Sequence, residues 1–312
     1  MKVLIIDEIE TGALKPLKDA GFELIFDLGQ SRDYYLGIIA QFEGLILRSS
    51  QKIDAAFIDR AKKLKFIARV GAGMENIAVD YAKTKGIKCF NSPEGNRTAV
   101  GEHALAMLLM LFRKLRQADA QVRQGIWQRD ENRGIELQGK TVGIVGYGNM
   151  GSAFAAVLRG FGVHLLAYDK YKTGFGDDFV QESSMEELFR QCDIVSIHTP
   201  LTEETRKMVN RDWIRNFEKN IYLINTARGP IVQTSDLVQA LESGKIAGAC
   251  LDVLEYESAG FREIAQGSFA EDFKRLVQME NVVLSPHIAG ITKESYEKLT
   301  AVIVRKILKN FN

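Results

Sequence analysis

Short β-type apolar runs alternate with stretches of helical spacing from one end of the chain to the other. In the first third the runs fall at residues 2–7, 23–28, 44–48, 66–70 and 88–91, with helical patterns between them, for example at 53–63 and 76–85. A second set falls at 141–145, 164–169, 193–198, 222–225, 249–253 and 282–285. Strands separated by helices pair in parallel. Six strands complete one doubly wound sheet, so the earlier runs belong to a separate, smaller α/β domain. The joint is expected near Ser92-Pro-Glu-Gly-Asn-Arg97, followed by one helix-like stretch over residues 98–124. The first half of that stretch is apolar nearly all round and must be covered, either between domains or by a second copy of the chain. The amphipathic stretch 293–309 follows the last strand and is expected to return to the first domain. The expected division is 1–97 plus 288–312 for one domain and 98–287 for the other.

One turn in this alternation carries chemistry. Gly146-Tyr-Gly148-Asn149-Met150-Gly151 stands between the run 141–145 and an Ala-rich helical stretch, and Asp169 closes the following run. Strand, glycine turn, helix, strand and acid at this spacing is the signature of a dinucleotide site. Gly146 permits the tight turn, Gly148 the approach of a pyrophosphate, and Gly151 close packing of helix on strand. The helix N-terminus offers N–H groups and partial positive charge to the phosphates. Asp169 can accept from both ribose hydroxyls, which favours NAD over its 2′-phosphorylated relative. Lys170 and Lys172 follow directly and act against that preference.

Composition narrows the class without redirecting it. The 312 residues carry 41 Lys+Arg against 40 Asp+Glu, which gives no electrostatic reason to expect nucleic acid or an anionic membrane as a partner. Cys89, Cys192 and Cys250 lie far apart with no C-x-x-C pair. That spacing argues against a metal site or a disulfide framework and fits a reducing compartment. The N-terminus reads as a strand rather than a signal peptide, and the longest apolar stretch, 104–112, is too short to span a bilayer. A cytoplasmic protein without a metal is expected.

In open α/β sheets, ligands bind beyond the carboxyl ends of the strands. The polar residues at those ends are Asp169, His198-Thr199, Asn225-Thr226-Ala227-Arg228, Asp252 with Glu255 and Glu257, and Ser285-Pro-His287. Only four histidines occur. His103 lies within the long helix and reads as structural. His164 begins a strand, on the wrong edge of the sheet. His198 reads as structural or cofactor-adjacent. His287, before the small turn Ile288-Ala-Gly290, is the best candidate for general acid/base work near neutral pH. Arg228 can grip a carboxylate bidentately. Glu257 can hydrogen-bond the far nitrogen of His287, orienting the ring and favouring its protonated form. Glu255, two residues earlier, competes for that part.

The ordered blocks Arg48-Ser-Ser50, Arg69-Val-Gly-Ala-Gly-Met-Glu-Asn76, Asn91-Ser-Pro-Glu-Gly-Asn96, Glu102-His103 and Gly125-Ile-Trp127 precede the glycine turn. The blocks His198-Thr-Pro-Leu-Thr202, Ile224-Asn-Thr-Ala-Arg-Gly-Pro-Ile-Val232, Gly248-Ala-Cys-Leu-Asp-Val253 and Ser285-Pro-His-Ile-Ala-Gly290 follow it. Together they make the chain resemble, over nearly its whole length, the D-isomer-specific 2-hydroxyacid dehydrogenases, and within them the phosphoglycerate dehydrogenase-like branch. The resemblance implies two doubly wound parallel-sheet domains, a Rossmann NAD-binding domain inserted into a flavodoxin-like substrate domain. It implies a catalytic set of Arg228, Glu257 and His287. It implies cofactor contacts at Ala72, Asn149, Met150, Asp169, Thr199, Thr226, Ala227, Arg228, Asp252, His287 and Gly290, beside Gly146, Gly148 and Gly151. Backbone N–H groups of Gly71, Ala72 and Gly73 are implied to hold the substrate carboxylate. One departure stands out: the family usually has Pro after the Glu, where this chain has Ser258, and the path 259–280 is longer and more charged. Glu255 therefore stays the fallback for Glu257.

The implied activity is NAD-dependent interconversion of a D-2-hydroxy acid and its 2-keto acid, with His287 exchanging the hydroxyl proton. Arg48, Arg69 and Arg129 stand at places like those of arginines that hold phosphate in the phosphoglycerate branch. That makes 3-phosphoglycerate and 3-phosphohydroxypyruvate the leading pair, with lactate-, glycerate- or glyoxylate-type acids as alternatives. The rival from another class is an NAD(H)-sensing regulatory protein, since such relatives keep the same three residues. A homodimer through the 98–124 region is expected. With the chain ending at Asn312, no C-terminal regulatory domain is expected.

Overall fold

A computed structural model describes residues 1–257 and 271–311. The chain divides into two compact units, Met1–Arg97 with Ile291–Asn312, and Thr98–Gly290.

The first unit is built on strands β1 (Lys2–Ile5), β2 (Glu23–Phe26), β3 (Gly44–Leu47), β4 (Phe66–Arg69) and β5 (Lys88–Phe90). Their order is β2-β1-β3-β4-β5, and every pairing is parallel. That is the flavodoxin-type doubly wound order. Successive side chains of a strand face opposite sides. Here Leu4, Leu45 and Leu47 enter one core while Val3, Ile5 and Ile46 enter another. With both faces covered, the inner strands β1, β3 and β4 read as near-continuous apolar runs rather than alternating. Helix Lys293–Phe311 adds Leu299, Ile303, Val304 and Ile307 to the second core. Gly95 makes room for it, because a Cβ there would stand 2.6 Å from the Leu299 backbone.

The second unit carries β6 (Thr141–Val145), β7 (His164–Tyr168), β8 (Val180–Glu182), β9 (Ile194–Ile197), β10 (Ile221–Asn225), β11 (Ile246–Leu251) and β12 (Val282–Leu284). The order is β12-β11-β10-β9-β6-β7-β8, all parallel, so the winding reverses between β6 and β9. The sheet has seven strands rather than the expected six. The extra one, β8, is a three-residue edge strand in which only Val180 is buried. It therefore leaves no apolar run to detect.

The expected single helix over 98–124 is two helices, Pro93–Phe112 and Leu115–Arg123. The first begins inside the expected joint, where Pro93 suits the opening helical position. The break falls at Lys114, whose φ is +51. The incoming segment at Gly134 and Ile135 accounts for it. The Ile135 N–H donates to the Phe112 carbonyl at 3.0 Å, and a Cβ on Gly134 would lie 2.4 Å from that oxygen. The first helix buries Ala104, Met107, Leu108 and Phe112, whereas the second buries nothing. Among the described residues, no helix is long and apolar enough to cross a membrane. All three cysteines are free thiols.

Candidate active site

The glycine turn joins β6 to helix Asn149–Leu158. Gly146 has φ +93, and a Cβ there would meet the His198 carbonyl carbon at 2.9 Å. A Cβ on Gly151 would lie 2.1 Å from the Gly146 carbonyl oxygen and 3.0 Å from Ile144 Cγ2. Gly148 differs, because nothing stands within 4 Å of the Cβ it lacks. It is the N-cap of the helix and provides no side-chain cap. The first helical N–H groups, with Asn149 and Met150 at their head, thus lack the usual side-chain acceptor and suit an anion.

At the end of β7, Asp169 ties this turn to its own loop. Oδ2 accepts the Tyr147 N–H at 2.8 Å, and Oδ1 accepts the Tyr171 and Lys172 N–H groups at 2.9 and 3.1 Å. Lys170 is paired with Glu204, and Lys172 Nζ donates to the Tyr147 carbonyl at 3.2 Å. Just beyond β9 and β10, Thr199 Oγ1 and Thr226 Oγ1 are buried without a hydrogen-bond partner. An unpaired buried hydroxyl costs roughly 1–3 kcal/mol. Two of them on neighbouring strand ends, beside an open glycine turn, fit a polar ligand such as a dinucleotide. His198, also at this edge, is bonded to Ser196 Oγ through Nε2 at 2.8 Å. Burial pushes its pKa down to about 3, so the ring is neutral and unsuited to donating a proton.

On the other flank, β10, β11 and β12 are successive neighbours, and Arg228, Asp252 and His287 follow their carboxyl ends. His287 Nδ1 lies 2.6 Å from Glu257 Oε2, and Glu257 Oε1 accepts the Leu254 N–H at 2.5 Å. With Nδ1–H given to a carboxylate, Nε2 of the neutral ring is left as an acceptor. Glu255 is placed elsewhere. Its Oε2 accepts the Thr234 N–H at 3.0 Å and hydroxyl at 2.9 Å, capping helix Thr234–Glu242, whose N-cap Gln233 provides no side-chain bond. Residues 258–270, with Ser258 and most of the unusual path, lie outside the described residues; Glu271–Leu276 is a helix.

Arg228 leaves β10 in extended conformation, and its Nη1 donates to the Ala227 carbonyl at 2.7 Å. The next residue must be glycine, since a Cβ on Gly229 would lie 1.9 Å from the Leu254 carbonyl oxygen. That approach holds the Arg228 turn against the segment bearing Glu257. Asp252 is 1% exposed, and its carboxylate accepts from Ser285, Ile288 and Ala289. Burial opposes its ionisation, but hydrogen bonds from His103, Ser285, Ala289 and Ile288 outweigh that and hold its pKa below the ordinary value. The sequence pattern marked Asp252 and missed its partners His103 and Ser285.

In the first unit, Arg48 follows β3, and its guanidinium lies 4.2 Å from the Tyr296 ring centroid. Arg69 ends β4 and is 9% exposed. Its Nε donates to the Arg48 carbonyl at 3.0 Å and its Nη1 to the Gly73 carbonyl, so the guanidinium braces the Gly71–Ala72–Gly73 turn from behind. The Gly71 N–H is shared between Ser92 Oγ at 3.1 Å and the Arg69 carbonyl at 2.9 Å. That leaves Ala72 and Gly73 as the amides suited to an incoming carboxylate. Arg129, in the second unit, is exposed.

Residues 105–289 match the family model for the NAD-binding domain of D-isomer-specific 2-hydroxyacid dehydrogenases. The chain belongs to this family. NAD is accordingly the cofactor of the second unit, and its open Gly148 and orphaned threonines fit that group. A D-3-phosphoglycerate dehydrogenase of Archaeoglobus fulgidus is 33% identical over 310 residues, covering 99% of this chain and 57% of that protein. The chain thus spans little more than half the length of several curated relatives. A hydroxypyruvate reductase of Thermotoga maritima is 36% identical over 278 residues, covering 89% of this chain and 88% of that one. Among solved structures, a D-lactate dehydrogenase of Aquifex aeolicus, complexed with NAD and lactic acid, superposes with a TM-score of 0.82. It is 29% identical and covers 100% of this chain and 95% of that one.

Proposed function

We propose that the protein is an oxidoreductase that interconverts a D-2-hydroxy acid and its 2-keto acid, with 3-phosphoglycerate and 3-phosphohydroxypyruvate as the leading pair. The observation that carries the reading is the His287–Glu257 pair at 2.6 Å, two strand ends along from Arg228. NAD, when bound, supplies the hydride acceptor or donor. His287 takes the hydroxyl proton at Nε2 in oxidation and returns it in reduction, a role suited to imidazole near neutral pH. Glu257, bonded at Nδ1, fixes the tautomer and stabilises the imidazolium. Arg228 offers its fork of donors to the carboxylate and the keto oxygen.

Two glutamates two residues apart then have separable roles. Glu255→Ala is expected to lower stability by about 1 kcal/mol, the value of one helix cap, and to leave kcat near wild type. Glu257→Gln should leave the melting temperature nearly unmoved and lower kcat. Thermal denaturation alongside steady-state assays checks both.

Arg48 and the names of the phosphoglycerate relatives support the phosphorylated substrate. The test is NADH oxidation against a panel of 2-keto acids that includes 3-phosphohydroxypyruvate and hydroxypyruvate. Arg48→Ala should raise KM for the phosphorylated acid by about tenfold or more, the worth of one charge-assisted contact, and spare hydroxypyruvate. Equal changes for both would move the assignment to an unphosphorylated acid. Tight NADH binding with no turnover on any acid would favour a sensor instead. The exposed Leu115 and Val122 support a homodimer through residues 98–124, with exposures of 54% and 53%.

A further inference from the structure

Three consecutive backbone N–H groups converge on one residue. The His287 N–H donates to the Asp252 carbonyl at 2.8 Å, the Ile288 N–H to Asp252 Oδ1 at 2.9 Å, and the Ala289 N–H to Oδ2 at 2.9 Å. His287 itself has φ +55. A non-glycine residue keeps that left-handed conformation only where its surroundings over-determine it. The direction in which the imidazole leaves the chain therefore depends on how firmly Asp252 is held.

What holds Asp252 extends to a residue outside the catalytic set. Its Oδ1 lies 2.6 Å from Ser285 Oγ. An ionised carboxylate only accepts, so the single Ser285 hydroxyl proton goes there. Ser285 Oγ is then left to accept from His103 Nε2, 2.9 Å away. The same helix face presents Met107, whose sulfur packs 3.6 Å from that hydroxyl. Nε2 of His103 also stands 3.5 Å from Asp252 Oδ1. Side-chain exposure is 23% for His103 and 0% for Asp252, so the relay runs from the site's edge into its buried centre.

We infer that His103 is a positioning residue for the reaction proposed above: through Ser285 and Asp252 it fixes the backbone of residues 287–289 and so aims the imidazole of His287. This rests on that functional reading for its catalytic consequence but not for its structural one. A misaimed acid/base group loses rate without losing ligand affinity, and an error of about 1 Å can cost on the order of a hundredfold.

The test compares the full-length wild type with His103→Ala, His103→Gln, Ser285→Ala and the His103→Ala/Ser285→Ala double variant. Amide hydrogen exchange over residues 285–290, NADH affinity and steady-state rates on the best keto acid are measured for each. In His103→Ala, exchange at Ile288 and Ala289 should quicken and kcat should fall about tenfold, with KM and NADH affinity unmoved. Gln keeps an N–H donor near the Nε2 position, so His103→Gln should restore both. The double variant should lose no more than Ser285→Ala alone. Wild-type exchange at 288–289 in His103→Ala overturns the inference, as do losses that Gln does not restore or that simply add. If His103→Ala does not fold, His103→Gln and Ser285→Ala still decide it. A wild type that reduces no keto acid would remove the functional reading while the exchange comparison still judges the relay.

Discussion

His287→Ala should lower kcat for keto-acid reduction by roughly 10²–10⁴-fold, the usual contribution of a positioned general acid, and leave NADH binding largely intact. The separation follows from the layout of the second unit. The residues proposed to meet the diphosphate and ribose, Gly146–Gly151 and Asp169, follow β6 and β7. His287 follows β12 at the opposite end of the sheet order. No other histidine of the unit can stand in. His198 is held neutral by burial, with a pKa near 3, His164 is exposed at the start of β7, and His103 is bonded to Ser285. Undiminished turnover in the variant, measured with NADH affinity by fluorescence titration, would remove His287 from the mechanism.

Gly151→Ala should abolish most cofactor affinity by a different route. The added methyl would stand 2.1 Å from the Gly146 carbonyl oxygen, a backbone atom that cannot rotate away. Either the helix lifts from β6 or the turn opens, and both displace the N–H groups proposed to meet the diphosphate. Overpacking of this kind costs about 1–3 kcal/mol, equivalent to about ten- to a hundredfold in NADH affinity, with a parallel loss of stability. Gly148→Ala is the control. Nothing lies within 4 Å of its new methyl, so the fold should keep its melting temperature while NADH binding weakens. Wild-type affinity in Gly148→Ala would mean that no diphosphate passes over that position.

Much of the fold was legible because buried parallel strands advertise themselves. β3 and β4 are buried at every residue, and such runs cannot be confused with amphipathic helix. β8 escaped because an edge strand of three residues, two of them exposed, carries no pattern. The break at Lys114 escaped because neither Gly nor Pro marks it. Its cause is Ile135 taking the Phe112 carbonyl, a contact 23 residues distant in sequence that no local propensity reports. At the site, spacing could not separate Glu255 from Glu257. The answer lies in Thr234, which engages the first and leaves the second beside His287. Arg69 looked like a ligand-facing arginine, yet its guanidinium turns to the carbonyls of Arg48 and Gly73. Residue type and strand position nominated these side chains, while their hydrogen-bond partners separate Glu255 from Glu257.

The most direct measurement follows deuterium from NADH labelled at nicotinamide C4 during reduction of 3-phosphohydroxypyruvate and the other keto acids of the panel. The expected result is a deuterium at C2 of a product with D configuration, at a rate that collapses in His287→Ala. Label that stays on tightly bound dinucleotide for every acid tested would contradict it.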